Sequence, residues 1–249
     1  MNDFGWSRTE TVRFSDCDCN GAVRISALMR MLAELATEDY AARGFSRTFL
    51  LENGMAFLLA GESLRFHRRP QSGETLRLQT WERQVKGPRY LRDFAVWNEA
   101  GELLVSAATT WILVNPETRQ IYRRAPIDFA AELHPETAAD TLPVERPEPL
   151  GEVVPVGERI VRFSDLDGNG HLNHAVYADI ALDALRPEEA GGSITDFRIS
   201  YHAEATLGEP VTLYRGETDG GILLVGEKSD KTRCFSCEIR DRQTGTIGL

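Results

Sequence analysis

What this chain lacks narrows the choices before any motif is read. No stretch approaches the roughly 18–20 consecutive apolar residues of a membrane-spanning helix. Residues Met1–Thr11 lack the basic-then-apolar order of a secretory signal, so the expectation is a cytoplasmic protein with no membrane span. Cysteine is scarce: four in 249 residues suggest no disulfide framework, and a reducing compartment would keep them as thiols. Positive charge is in deficit, 28 Lys and Arg against 38 Asp and Glu, for a formal charge of −10. That balance argues against nucleic acid, which needs a basic surface to release counterions from phosphates. An acidic macromolecular partner would have to meet a local basic patch. The length suits one large domain or two of about 100–150 residues.

What the chain does have is an internal repeat. Val12-Arg13-Phe14-Ser15-Asp16-Cys17-Asp18-Cys19-Asn20-Gly21 returns as Val161-Arg162-Phe163-Ser164-Asp165-Leu166-Asp167-Gly168-Asn169-Gly170, changed at two of ten positions. Each copy leads into an amphipathic helical pattern. The first has Leu28, Met29, Leu32, Leu35 and Ala36 on one face, Ser26 as expected N-cap and Gly44 as stop. The second has Val176, Tyr177, Ile180, Ala181 and Ala184, with Asn173 as cap and Pro187 as terminator.

Strand-like segments follow each helix. They are Met55–Arg69, Glu74–Val85, Arg89–Asn98 and Glu102–Val114 in the first half, and Ile194–Glu204, Pro210–Thr218, Ile222–Ser229 and Lys231–Arg240 in the second. Gly208-Glu209 stands where Gly73-Glu74 stood. Between the halves, the proline-rich stretch 134–155 reads as an extended surface linker. The expected organisation is therefore an N-terminal domain over 1–133, the linker 134–155, and a C-terminal domain over 156–249. One helix followed by sequential antiparallel strands is an α+β layout in which the sheet wraps the helix, the layout of a hot-dog domain. Two in one chain make a pseudo-dimer, and a homodimer of the whole chain is left open.

Only the second copy continues into His171-Leu172-Asn173-His174; the first continues Ala22-Val23-Arg24-Ile25. Asp167, Asn169 and His171 alternate along an extended loop ahead of a helix N-terminus, where free N–H groups suit a carbonyl oxygen becoming an oxyanion. Aligning the halves through Gly73 and Gly208 sets Glu204 at the position of Arg69. A carboxylate there can activate water beside His171.

The run Asp167-x-Asn169-x-His171-x-Asn173, with Tyr201-His202-Ala203-Glu204 downstream, resembles the active-site motif and catalytic glutamate of plant and bacterial acyl-acyl-carrier-protein thioesterases. Arg92-Asp93, Gly101-Glu102-Leu103, Thr110-Trp111 and Asn115-x-x-Thr118-Arg119 follow that family's order in the first half, so the resemblance covers nearly the whole chain. It implies hydrolysis of the thioester between a fatty acyl chain and the phosphopantetheine arm of an acyl carrier protein, without metal or cofactor. It implies Asp167, Asn169, His171 and Glu204 as the catalytic set. Glu204 would be general base or nucleophile, His171 its partner, Asn169 would orient substrate or water, and Asp167 would orient the others. Asn173, Met29, Met55, Phe57 and Leu59 are expected at the substrate, with Leu58 a further candidate for an acyl tunnel in the first half. Arg89 and Arg92, with Arg65, Arg68, Arg69, Arg83 and Lys86 and then Arg119, Arg123 and Arg124, form a candidate surface for an acidic carrier. Two departures stand out. Ala205 occupies a place where plant members often have cysteine, and the chain stops at Leu249, where comparison with Leu103–Val114 expects a longer last strand.

Rival readings are weaker. A calcium loop over Asp165-x-Asp167-x-Asn169-Gly170 lacks the bidentate glutamate at loop position twelve in both copies, where Val176 and Ala27 stand. Cys234 and Cys237, three apart in a strand, face opposite sides and make a poor zinc site. The remaining alternatives are an acyl-CoA thioesterase, another hot-dog enzyme such as a hydratase, or a non-catalytic acyl-binding regulator. A hydratase would not need Glu204 in this arrangement, and a regulator usually carries a separate DNA-binding module, for which there is no room.

Overall fold

The computed structural model describes residues 4–129, 132–186, 189 and 194–241. These divide into two compact units, one of residues up to 62 together with 67–141, the other of 63–66 and the chain from 142 onward.

The first half begins with strand β1 (Trp6–Thr11) and a single 3-10 turn, Phe14–Asp16, followed by helices α1 (Ile25–Ala42) and α2 (Arg47–Glu52). Strands β2 (Ala56–Phe66), β3 (Thr75–Lys86), β4 (Arg89–Asn98) and β5 (Leu103–Val114) follow. They form a sheet in the order β1-β3-β4-β5-β2. Strands β1 and β3, β3 and β4, and β4 and β5 pair antiparallel. Helix α1 lies against β1 and β3 and buries Leu28, Met29, Leu32, Leu35 and Ala36, the stripe that the 3.6-residue period predicts.

Its start differs from expectation. The cap is Arg24, whose side chain bonds nothing there, and Ser26 sits inside the first turn, fully buried. The helix is entered from the motif loop, where the Arg24 N–H donates to the Asp16 carbonyl. Gly44, at φ +89°, follows the helix end as predicted, in a left-handed conformation that favours glycine. Helix α2 has only six residues, too few for a periodic signal, and its Ser46 hydroxyl accepts from the Phe49 N–H at 3.2 Å.

The second half repeats the plan with β6 (Val154–Ile160), a 3-10 turn Phe163–Asp165, α3 (Val176–Asp183), β7 (Ile194–Tyr201), β8 (Pro210–Thr218), β9 (Gly221–Lys228) and β10 (Arg233–Asp241). Their order is β7-β10-β9-β8-β6. Strand β6 starts inside the stretch read as linker. Pro155 is tolerated because β6 is an outermost strand and its register slips between Pro155 and Gly157. Residues 134–153 contain no helix or strand. Pro187, and the residues after 241 where a longer last strand was expected, lie outside the described residues. Each half is an antiparallel sheet with one principal helix: the chain is α+β, two hot-dog domains in tandem.

Candidate active site

The loop after the 3-10 turn of the second half is built by Asp167. Its Oδ1 accepts from the N–H groups of Asn169 at 2.8 Å and His171 at 3.2 Å, and its Oδ2 accepts from Asn169 Nδ2 at 3.3 Å. The Asp167 N–H donates to the His171 carbonyl at 2.8 Å, and Gly170 takes φ +79° to close the turn. This Asx-type turn explains the alternation of the motif: aspartate folds the backbone, and glycine supplies the positive φ. It also commits the Asp167 carboxylate to the loop itself. The Leu172 N–H then donates to the Ala205 carbonyl at 2.8 Å, and His171 bridges to Thr206, fixing the loop beside the segment after β7.

That placement brings His171 Nε2 within 3.5 Å of Glu204 Oε2, with the two side chains 27% and 36% exposed. Water can reach this pair. Asn169, at the crest of the turn, is exposed. The Asn173 Oδ1 accepts from the Ala175 N–H at 2.9 Å, and its carbonyl accepts from the Val176 N–H at 2.9 Å. Asn173 thus caps the turn leading into α3 rather than the helix itself, whose cap is Ala175. The same bonds occupy two N–H groups that the sequence reading left open for an oxyanion.

Two tyrosines to which sequence reasoning gave no role of their own pack behind this segment. Tyr177 of α3 is buried and hydrogen-bonds to the backbone of Ala205, next to Glu204. Burial first, and then negative charge including that of Glu204, hold its hydroxyl pKa well above the ordinary value. The Tyr201 hydroxyl donates to the His174 carbonyl at 3.0 Å, and the Tyr177 ring packs on Tyr201 and Phe235. The signal was in the repeat: Tyr177 stands where the first half has Leu28, a substitution of the same kind as His171 for Ala22.

The first half builds the same loop without the pair. Asp18 Oδ1 accepts from the N–H groups of Asn20 at 2.9 Å and Ala22 at 3.2 Å, and Gly21 takes φ +77°. Arg69, at the position of Glu204, pairs with Asp18 at 3.0 Å and donates to the Val23 carbonyl. A cation tying down the loop therefore replaces an acid–base pair. His67 and His202 bond Ser106 and Ser236 at 3.0 and 2.9 Å, the same structural contact in both halves. Cys234 and Cys237 are buried, and burial pushes the Cys234 thiol up to about 11 and Cys237 well above its ordinary value. Neither is a ready nucleophile at neutral pH.

The basic cluster needs correction. Arg92 is 2% exposed, bonded to Asp39 at 2.7 Å and to Glu82 and Thr80 at 3.0 and 3.1 Å, with its guanidinium over the Tyr40 ring. It cannot touch a docking partner, because the helix-facing side of β4 turns it into the core. Arg65, Arg68, Arg69 and Arg83 are engaged by Asp196, Glu74, Asp18 and Asp93. Arg89 and Lys86 are exposed at the tip of the β3–β4 hairpin, and Arg119, Arg123 and Arg124 are exposed after β5. Arg89 pairs with Ile112 of β5, and Val114 with Ile121, so these five cations lie toward one end of the sheet. Met29 and Met55 are fully buried, Met55 in a cluster with Leu50, Tyr90, Leu113 and Phe129. Phe57 packs on that cluster, its ring 5.0 Å from Tyr40 and 5.1 Å from Tyr90. Leu59 is half-buried, whereas Leu58 is exposed and lines no interior wall.

Two hot-dog halves, one of them carrying an imidazole–carboxylate pair, define the class. The chain belongs to the acyl-ACP thioesterase family: residues 5–133 match the acyl-ACP thioesterase N-terminal domain and residues 156–246 the C-terminal domain. A chloroplastic acyl-[acyl-carrier-protein] hydrolase of Cuphea viscosissima is 26% identical over 193 residues, 72% of this chain and 46% of that protein. The chloroplastic dodecanoyl-[acyl-carrier-protein] hydrolase of Cinnamomum camphora is 23% identical over 236 residues, 87% of this chain and 61% of that protein. The chain thus spans about half the length of the curated relatives it matches. Among solved structures, an acyl-ACP thioesterase from Bacteroides thetaiotaomicron shares the fold with a TM-score of 0.84 at 21% identity, covering 94% of this chain and 96% of its own. The 12:0-ACP thioesterase from Umbellularia californica does so with a TM-score of 0.74 at 18% identity, covering 95% and 96%.

Proposed function

We propose that this protein hydrolyses the thioester of a fatty acyl-acyl carrier protein, releasing free fatty acid and the holo-carrier. The observation that carries this reading is the 3.5 Å approach of His171 Nε2 to Glu204 Oε2 on a loop folded by Asp167. Glu204 takes a proton from water as the water oxygen attacks the thioester carbonyl. The C–S bond then breaks, and the sulfur leaves as a thiol with that proton. His171 holds the carboxylate and the water in line, Asn169 reaches the substrate from the crest of the turn, and Asp167 keeps the loop in shape. The second half, 156–249, is the catalytic domain, and the first, 1–133, receives the acyl chain against Met29, Met55, Phe57 and Leu59. The exposed cations Lys86, Arg89, Arg119, Arg123 and Arg124 suit an acidic carrier. Four free cysteines fit a reducing compartment, here the cytoplasm.

The test is thiol release from matched acyl-carrier-protein, acyl-CoA and acyl-pantetheine substrates. Wild type should favour the carrier substrate. Glu204→Gln, confirmed folded, should lose at least about 10²-fold in kcat on all three, or roughly 2.7 kcal/mol in barrier. Arg89→Glu together with Arg124→Glu should weaken only the carrier substrate and flatten its salt dependence. Near-normal turnover by Glu204→Gln removes the assignment of the base. Equal preference for CoA removes the carrier.

A further inference from the structure

Glu62 and Ser26 are two of the buried polar side chains of the first half, and the chemistry above uses neither. Glu62, on β2, is 2% exposed, and burial alone acts on its carboxyl, with no charged or hydrogen-bonding partner shifting it among the described residues. The strand is buried on both sides at this point, so the carboxyl has no solvent-facing side to turn to. Ser26, in the first turn of α1, is fully buried, and its hydroxyl has no partner either. Burial raises the Glu62 pKa to about 8, which leaves the group protonated at neutral pH, with a donor and an acceptor both on offer.

The second half shows what these positions look like without that polarity. His67 and His202 make the same serine bond and the same backbone bond, to the Leu104 and Cys234 carbonyls, which fixes the alignment of β2 with β7. Five residues before each histidine stand Glu62 and Phe197, and Phe197 is fully buried. The motif loops likewise align Ser26 with Ala175, also fully buried. The fold therefore accepts apolar side chains at both places, and neither polar group is needed to build the domain. A buried donor or acceptor without a partner is costly, and a site designed around one rejects a ligand that cannot satisfy it.

We propose that Glu62 and Ser26 read oxygen on the acyl chain, so that the favoured substrate is a hydroxylated or keto-bearing acyl thioester rather than a plain saturated one. This rests on the thioesterase reading and on the first half as the acyl-binding half. The protonated Glu62 donates to the substituent oxygen, and its carbonyl oxygen or the Ser26 hydroxyl accepts from a substrate hydroxyl. Chemistry stays at His171 and Glu204, and each of the two polar groups acts only on which chain is held.

The full chain would be assayed on acyl-pantetheine thioesters of one length, as the unsubstituted chain, a positional series of monohydroxylated chains and the matching keto chains. Wild type should favour at least one oxygenated position by about tenfold or more in kcat/KM. Glu62→Leu should reverse that ratio, raising kcat/KM for the plain chain while lowering it for the oxygenated one. Glu62→Gln, neutral and still polar, should keep the wild-type order. Ser26→Ala, matching Ala175, should reduce the hydroxyl preference more than the keto preference. Should Glu62→Leu fold poorly, Glu62→Met and Ser26→Ala carry the same comparison. Hydrolysis of plain chains with no preference for oxygen at any position, or a preference that Glu62→Leu and Ser26→Ala both leave intact, overturns this inference and leaves the thioesterase reading standing. Absence of hydrolysis on every thioester overturns the thioesterase reading instead.

Discussion

Glu62 is a single residue whose protonation changes the stability of the whole fold. Its carboxyl titrates near 8 when folded, against an ordinary value of 4.5, and the only cause is loss of solvent. Between those values the folded state holds a proton that the unfolded chain has released. Stability therefore falls as pH rises from about 4.5 to about 8 and is level on either side. Each tenfold difference in proton affinity between the folded and unfolded chain is worth roughly 1.4 kcal/mol, so the loss should be at least about 2 kcal/mol. Urea melts at pH 5 and pH 9 should show wild type losing this much more than Glu62→Gln, and parallel losses in the two proteins would mean that Glu62 titrates normally. Nothing in the sequence flagged this residue, because a glutamate in a strand pattern reads as a solvent-facing position. His171 was legible for the opposite reason: the repeat offered Ala22 as a control, so the histidine stood out as added chemistry. Tyr177 was equally marked, against Leu28, but an aromatic on an apolar helix face passes for core.

At the level of elements, the strands that follow each helix were legible to within a few residues because alternation and turn glycines bound them from both sides, whereas β1 was given no bounds. Strand β6 was only partly so, since its proline and exposed valines look like linker; what makes it a strand is its pairing with β8, a long-range fact. Arg92 shows the same limit in another form. A basic residue on a strand of an acidic protein reads as surface, yet α1 supplies Asp39 and Tyr40, and β3 supplies Glu82, to enclose it. Arg43 joins from the end of α1 with bonds to Asp39 and Glu82 at 3.1 and 3.0 Å. Because Arg92, a hydrogen bond from Tyr40 and Arg43 together outweigh the burial of Glu82, its carboxyl pKa is lowered despite desolvation. The cluster clamps α1 onto β3 and β4. Arg92→Met should leave two carboxylates sharing Arg43 and cost about 3–5 kcal/mol, measured by urea unfolding. At temperatures where the variant remains folded, KM for acyl-carrier protein should stay within about twofold. A stable protein with a sharply raised KM would return Arg92 to the docking surface.

For the whole molecule, the two halves share one loop, one strand plan and one histidine–serine contact, but the polar positions have been traded. The second half has His171, Tyr177 and Glu204 where the first has Ala22, Leu28 and Arg69, while the first has Ser26 and Glu62 where the second has Ala175 and Phe197. Such a trade is expected when chemistry is kept in one copy and ligand selection moves to the other, since neither scaffold then has to accommodate both sets of polar groups. Mutating equivalent positions should therefore give unequal results. His171→Ala should lower kcat at least about 10²-fold, and adding Glu204→Gln should cost little more than the worse single change, because a pair that acts as one unit is not additive. Arg69→Gln and Ala22→Ser should leave kcat within about threefold. Loss of the half-buried pair with Asp18 should cost Arg69→Gln about 1 kcal/mol of stability. Single-turnover rates at saturating substrate, alongside urea melts of each variant, separate the chemical step from stability. If Arg69→Gln slowed the chemical step as much as His171→Ala, the first half would be part of the reaction centre, and the division of labour between the halves would have to be given up.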